Sequence, residues 1–197
     1  MPAAFQRAIE SVLQDIPHIA VYLDDILITG KSKVESLENL EGVLVRLEEA
    51  GLRLKKRKCV FKQDQVVYLG HQIDKNGISP VQDKVEALVQ AKIPENVTEL
   101  ESYLGLLNYH GKFLKGLSQV LHPLHKLLEK GVRWHWGPEQ QNCFEQTKKM
   151  ITSAGVLVHH DTEKPLILHC DASPYGLGAV LLHIMEDGSE RPIGFAS

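Results

Sequence analysis

The stretch "AVYLDDILITG", residues 20–30, sets two adjacent carboxylates, Asp24 and Asp25, in the middle of an apolar and β-prone run. Aliphatic and aromatic residues on both sides of the pair predict two short strands joined by a tight turn. Neighbouring residues in an extended strand point to opposite faces, so both carboxylates reach one site only if the chain reverses there. We therefore predict a hairpin that carries the two acids at or beside its turn.

An ordinary turn accounts for one of these acids more easily than for two. An aspartate in a turn caps nearby backbone donors, but two adjacent carboxylates repel each other unless a cation or solvent compensates their charge. Hard oxygen ligands of this kind suit Mg²⁺, which is usually bound by carboxylates together with substrate phosphates. Either the pair is simple turn chemistry, or it holds metal for phosphoryl or nucleotidyl transfer.

Helical and β patterns alternate through the first part of the chain. The spacing of apolar residues predicts a helix over residues 3–14 and a second helix over residues 32–50, closed by Gly51. Residues 59–74 predict two short strands around a polar turn, and "KNG" at residues 75–77 predicts another turn.

From Ser79 onward the pattern becomes helical. Ser79 predicts a helix cap with Pro80 in the first helical position, and "TELE" at residues 98–101 predicts a capping box led by Thr98. Two further helices are predicted within residues 118–131, with Pro123 in a first turn or at a break, and within residues 136–153. The chain then ends in three predicted strands, the last two joined by an Asp–Gly turn.

Composition excludes several classes of protein. With 43% hydrophobic and 24% charged residues among 197, the chain is typical of a globular protein, and it has no apolar run of the ~18 residues that a membrane helix requires. Its N-terminal segment carries charges where a secretory signal would be apolar, so we expect an intracellular protein. Three widely spaced cysteines argue against a disulfide framework and against a cysteine zinc site.

A basic run, "RLKKRK" at residues 53–58, contrasts with the net charge of −3. Its charged members are Arg53, Lys55, Lys56, Arg57 and Lys58. Such a run either contacts nucleic-acid phosphates or forms the solvated end of a helix-to-strand connection.

Four motifs in order resemble one known family. "YLDD" at residues 22–25 resembles the Y-x-D-D signature of reverse transcriptases, and "PAAFQRAIESVL" before it resembles the preceding helix in gypsy-type LTR retrotransposon polyproteins. "YLGHQI" at residues 68–73 resembles their primer-grip hairpin, and "ELESYLGLLNYHGKFL" resembles their thumb. "LILHCDASPYGLGAVL" is similar to the opening of their tethered ribonuclease H.

The resemblance implies an α+β fold in three parts. Residues 1–75 would be the C-terminal part of a polymerase palm, a helix plus β-hairpins with the YxDD turn and the primer grip. Residues 76–133 would be a helical thumb and connection, and residues 134–197 the start of a ribonuclease H-like mixed sheet. The implied activities are RNA-directed DNA synthesis and cleavage of the RNA strand.

The resemblance also implies roles for individual residues. Asp24 and Asp25 would be two of three palm carboxylates that bind Mg²⁺, or Mn²⁺ in its place, and Asp171 would bind metal for RNA cleavage. The nucleic-acid and nucleotide contacts would come from Gln6, Tyr22, Leu69, Gly70, His71 and the basic run. The simpler alternatives are an ordinary strand residue for Tyr22, a bulge at Gly70 and a strand-end cap for Asp171.

The implied partners are a primer–template duplex, including an RNA/DNA hybrid, together with dNTP and the remaining polyprotein segments, with no membrane. The implied location is the cytoplasm or a virus-like particle, with the nucleus as an alternative. The third palm aspartate, the fingers and the later ribonuclease H carboxylates have no counterpart in these residues, so we expect the isolated chain to be inactive. The competing hypothesis is a non-catalytic module that binds nucleic acid or protein.

Overall fold

The structure is a computed structural model that describes residues 2–173 and 176–197. The chain divides into two compact units, residues 1–63 and residues 64–197. Helices and antiparallel sheets occur in both units, which confirms the predicted α+β class. The domain boundaries predicted after residues 75 and 133 divide the chain by expected function rather than by compactness. They stay predictions.

The first unit contains the predicted hairpin. Its elements are α1 (Pro2–Val12), β1 (Ile19–Tyr22), β2 (Asp25–Ile28), α2 (Lys33–Glu49) and a 3₁₀ turn (Lys56–Lys58). Strands β1 and β2 pair antiparallel, with Tyr22 opposite Asp25. The two residues between them, Leu23 and Asp24, therefore form the turn, and the predicted placement of the acids is confirmed.

Helix α2 begins and ends as predicted, but its apolar row is only partly buried. The Ser32 hydroxyl accepts a hydrogen bond from the Glu35 N–H at 3.2 Å, and Gly51 follows the helix with a φ of +70°. The buried core of this unit consists of Ile9, Leu13, Val43 and Leu47. Val34 and Leu37, at 65% and 50% exposure, lie outside this core although their spacing matches the helix period.

The second unit opens with an antiparallel sheet of three strands. They are β3 (Gln65–Tyr68), β4 (His71–Asp74) and β5 (Gly77–Pro80), in that order across the sheet. The polar turn predicted within residues 59–74 is wrong, because the turn between β3 and β4 consists of the apolar pair Leu69–Gly70. Both turn residues have positive φ, 47° for Leu69 and 70° for Gly70, and this backbone conformation reverses the chain. The apolar composition of the pair does not by itself indicate a turn.

The predicted helix start at Ser79 and Pro80 is also wrong. Both residues belong to β5, and the next helix starts after Val81. Ile78 exchanges two backbone hydrogen bonds with Leu157, 2.8 and 2.9 Å long, and this distant pairing holds the segment extended. A Cβ at Gly77 would overlap the Leu157 carbonyl, so the close approach depends on glycine.

Four helices build the main core of the second unit. They are α3 (Gln82–Val89), α4 (Val97–Tyr109), α5 (Leu117–His125) and α6 (Pro138–Thr152), with 3₁₀ turns at Gly111–Phe113 and Lys126–Leu128. The core residues with the least exposure include Leu88, Leu100, Leu107, Leu124, Phe144 and Ile151. Pro123 lies inside α5 rather than in its first turn or at a break, and buried Leu121 and Leu124 on either side show that packing outweighs its helix-breaking tendency.

The cap of α4 differs from the predicted one. Asn96, rather than Thr98, is the N-cap: its side-chain oxygen accepts from the Glu99 N–H at 3.0 Å, and its amide donates to the Glu99 carboxylate at 2.9 Å. Asn96 and Thr98 both have a glutamate three residues later, so the local pattern fits either start. Burial of Leu100 is compatible with the earlier start, which makes it the fourth helical residue.

The C-terminal sheet has the three predicted strands. They are β6 (Leu166–Ser173), β7 (Gly176–Ile184) and β8 (Glu190–Ala196), all antiparallel, with Asp187 and Gly188 in the turn before β8. Buried His183 on β7 fixes the approach to β6: its Nε2 accepts from the Asp161 N–H at 2.9 Å, and its Nδ1 lies 3.1 Å from the Pro165 carbonyl. Among the described residues, no helix combines the length and apolar character needed to cross a membrane.

Replacing Asn96 with alanine removes the observed cap of α4. We expect Asn96→Ala to lower the free energy of unfolding by about 1 kcal/mol, because the orphan Glu99 N–H loses its acceptor. Thr98→Ala, an exposed change two residues away, should stay within about 0.5 kcal/mol of the unchanged chain. Urea titrations followed by circular dichroism measure both, and a larger loss in Thr98→Ala would contradict the assignment.

Candidate active site and nucleic-acid interface

Asp24 lies in the β1–β2 turn and Asp25 is the first residue of β2, and both side chains are exposed. Leu23, just before them, has a φ of +50°, so the chain reverses sharply at the pair. Among the described residues, no basic group pairs with either carboxylate and no donor hydrogen-bonds to them. Their oxygens are therefore available to a hard cation, and the mutual repulsion of the pair favours one.

The side chain of Gln6, on α1, holds this turn through hydrogen bonds to its backbone. Its side-chain oxygen accepts from the Leu23 N–H at 2.6 Å, while its side-chain nitrogen donates to the Val21 carbonyl at 3.0 Å and to the Glu10 carboxylate at 2.6 Å. The amide is thus used by the protein on both sides of Tyr22. The structure gives Gln6 a supporting contact that sequence reasoning missed, and its predicted contact with template or nucleotide stays a prediction.

Tyr22 and the basic run present exposed side chains in the same unit. Tyr22 is 53% exposed on β1, which leaves its ring free to contact a ligand. All five charged residues of the run, Arg53, Lys55, Lys56, Arg57 and Lys58, are exposed. No carboxylate among the described residues pairs with any of them, so the run offers uncompensated positive charge.

In the second unit, Leu69 and Gly70 form the β3–β4 turn, and His71 is the first residue of β4. Leu69 is exposed and His71 is half-buried, so the turn presents backbone and an apolar side chain rather than charge. Burial, together with the nearby Lys112 and His110, lowers the pKa of His71 to about 4. The imidazole is therefore neutral at pH 7 and cannot bind phosphate as a cation.

Asp171 lies near the end of β6, exposed, and pairs through its backbone with Gly178 of β7. Two residues of its motif, Pro174 and Tyr175, lie outside the described residues. Within residues 2–173 and 176–197, no three or more His, Cys, Asp and Glu side chains cluster as a metal site would require. The exposed carboxylates of Asp24, Asp25 and Asp171 are hard oxygen donors of the kind that Mg²⁺ prefers.

Two known families match separate parts of the chain. Residues 1–73 match the family described as reverse transcriptase (RNA-dependent DNA polymerase). Residues 136–197 match the RNase H-like domain found in reverse transcriptase. The hairpin with Asp24 and Asp25 lies in the first match, and Asp171 lies in the second.

Curated relatives and solved structures resemble the chain over nearly its whole length. The Transposon Tf2-3 and Tf2-7 polyproteins of Schizosaccharomyces pombe are each 39% identical to it over 198 residues, which cover 100% of this chain and 15% of either polyprotein. The foamy viral protease-reverse transcriptase in complex with dsDNA has a TM-score of 0.84 and 29% identity, over 99% of this chain and 41% of that one. The same viral protein in complex with an RNA/DNA hybrid gives the same TM-score and identity, with 26% of that chain covered.

Replacing Gln6 with alanine should loosen the turn that carries the acids. Gln6→Ala removes the acceptor of the Leu23 N–H, and we expect this amide to exchange with solvent about fivefold to tenfold faster, as loss of one such hydrogen bond implies. Arg7→Ala, an exposed change at the next position of α1, should leave the rate unchanged. Exchange of the Leu23 amide, followed by NMR, measures the rate in both variants. Equal rates in the two variants would show that Gln6 does not hold the turn.

Proposed function

The chain belongs to the reverse transcriptase and RNase H-like family of gypsy-type retrotransposon polyproteins, and from this premise we propose that it serves RNA-directed DNA synthesis and RNA-strand cleavage in a longer protein. It spans 15% of the length of its curated relatives, so catalysis is proposed for the longer protein only. The observation that carries the proposal is the exposed, uncompensated Asp24–Asp25 pair on a hairpin turn, within the part that matches reverse transcriptase. The isolated chain is expected to bind ligands without turnover.

In this proposal Asp24 and Asp25 hold Mg²⁺, for which Mn²⁺ can substitute, and Asp171 holds metal for RNA cleavage. When bound, such metals activate the attacking oxygen and stabilise the leaving one. The residues of this chain hold the cation at the turn, and Gln6 keeps the turn in shape through Leu23. Exposure of both carboxylates supports the proposal, because a metal shared with a nucleotide must be reached from solvent.

The proposed nucleic-acid contacts fall on surfaces that are free in each unit. Tyr22 would contact the primer end or the nucleotide, the Leu69–Gly70 turn with His71 would grip the primer, and the basic run would bind phosphates. Phosphate contacts position a duplex without reading its sequence. The partners are a primer–template duplex or RNA/DNA hybrid, dNTP and the rest of the polyprotein, with the cytoplasm or a virus-like particle as the proposed location.

Metal binding at the acidic turn can be measured on the chain itself. Mn²⁺ should broaden the backbone NMR signals of residues 22–26 selectively, and Asp24→Asn together with Asp25→Asn should abolish the effect because the hard ligands are gone. Asp15→Asn is the matched control, an exposed aspartate of the same unit at a positive φ that asparagine tolerates. Selective broadening that survives in the double variant would contradict the proposed site.

Duplex binding should depend on the basic run in a salt-dependent way. Lys56→Gln with Lys58→Gln should weaken binding of an RNA/DNA hybrid and reduce the slope of log K against log salt by about 1.8, at roughly 0.9 per lost phosphate contact. Lys31→Gln with Lys33→Gln removes the same charge from another exposed site of the same unit. Fluorescence anisotropy between low and moderate salt gives the slopes. An equal loss in both pairs would mean that only net charge matters.

A further inference from the structure

The Leu69–Gly70 turn touches the end of α4 through one hydrogen bond. The Tyr109 hydroxyl, on the last residue of that helix, donates to the Leu69 carbonyl. A Cβ at Gly70 would overlap this hydroxyl, so a larger residue there would force the two apart. This hydrogen bond therefore links the turn to a helix residue 40 positions later in the sequence.

Tyr109 reaches the turn from a cluster of stacked rings. Its ring stacks on His71, with centroids 5.0 Å apart and planes 12° from parallel, and meets His110 edge-on at 4.9 Å. His71 also lies 6.3 Å from His110 and 5.6 Å from Phe113. The rings fix where the hydroxyl points, because moving Tyr109 would break contacts with both imidazoles.

The two imidazoles are polar groups in an apolar setting. His110 is fully buried, and neither of its ring nitrogens has a hydrogen-bond partner among the described residues. The Nδ1 of His71 is likewise buried and unpartnered. Burying polar atoms without partners is costly, and burying them charged costs far more, so the cluster requires neutral rings.

The charged groups that face the two histidines are positive. Lys84 of α3 and Lys112 of the following 3₁₀ turn act on His110, and Lys112 also acts on His71. Burial is the largest cause that lowers the pKa of His110, followed by Lys84 and Lys112, and the pKa of Lys112 is itself lowered by burial. A proton added to either ring therefore meets repulsion from the neighbouring cations, and no carboxylate among the described residues acts on either ring to offset it.

We propose that Tyr109 is a positioning residue for the Leu69–Gly70 turn, and that protonation of the His71–His110 pair releases the turn from it. The contact is complete above the ordinary histidine pKa near 6.5. It is lost as the pH falls from there towards about 4, because only a loosened state accepts the protons. The link from the turn to a primer rests on the proposed function; the link from Tyr109 to the turn does not.

Hydrogen exchange on the unliganded chain tests the proposal. Tyr109→Phe keeps the ring on His71 but removes the donor, so amides of residues 69–71 should exchange about fivefold to tenfold faster at pH 7. Tyr103→Phe is the matched control on the same helix, since it removes a buried hydrogen bond to Thr147 of 2.6 Å far from the turn in sequence. Unchanged exchange at residues 69–71 in Tyr109→Phe would overturn the positioning role.

The pH profile separates a switch from ordinary packing. After correction for intrinsic exchange, protection of the turn should fall between pH 6.5 and pH 4.5 in the unchanged chain and in Tyr103→Phe, and stay low throughout in Tyr109→Phe. His110→Leu replaces the unpartnered ring with an apolar side chain and leaves His71 in place, so it should retain more protection at pH 5 than the unchanged chain. Equal acid sensitivity in His110→Leu and the unchanged chain would overturn the switch.

Duplex affinity measured on the same proteins keeps this inference apart from the proposed function. If the inference and the function both hold, Tyr109→Phe should bind an RNA/DNA hybrid several-fold more weakly than Tyr103→Phe at pH 7. Failure of the unchanged chain to bind at low salt would contradict the proposed function alone. The exchange rates at residues 69–71 would still decide the role of Tyr109.

Discussion

Both candidate ligand-contacting turns depend on a leucine held in the left-handed backbone region. Leu23 has a φ of +50° and Leu69 a φ of +47°, where a side chain crowds its own backbone and costs about 1 kcal/mol. In each case a side chain from a helix binds the backbone of that leucine. Gln6 accepts from the Leu23 N–H, and Tyr109 donates to the Leu69 carbonyl. A hydrogen bond of ordinary strength offsets the conformational cost and fixes the turn.

This arrangement explains why the two turns can stay exposed and still be ordered. A loop tip is normally the least stable part of a hairpin, because few contacts oppose its fluctuation. Here the stabilising contact lies on the protein side of the turn, and the opposite side remains open. The carboxylates of Asp24 and Asp25 gain a defined position without being covered. If the proposed function holds, this one-sided support would leave room for a large nucleic-acid ligand.

Structure that depends on neighbouring residues could be predicted from the sequence, whereas contacts between residues far apart in the sequence could not. The hairpin at Asp24 and Asp25, the end of α2 before Gly51 and the three C-terminal strands all follow from patterns within a few residues. The extended conformation of Ser79 and Pro80 depends on Leu157, and the two turn supports join residues 17 and 40 positions apart. Such contacts produce no periodic pattern of apolar residues in the sequence. The choice of Asn96 over Thr98 shows the same limit, since both fit the capping pattern locally.

On the proposed function, electrostatics would give the two charged surfaces of the first unit different parts in nucleic-acid binding. The basic run attracts phosphates directly, whereas the bare Asp24–Asp25 pair repels them. A divalent cation held by the pair would relieve the repulsion between the two adjacent carboxylates, and it would also offer phosphate oxygens a shared ligand. Without such a cation, the basic run alone would hold a duplex by its backbone, and the two carboxylates would repel its phosphates. On the proposed function, a bound cation would therefore be needed before a phosphate-bearing substrate could approach the acidic turn.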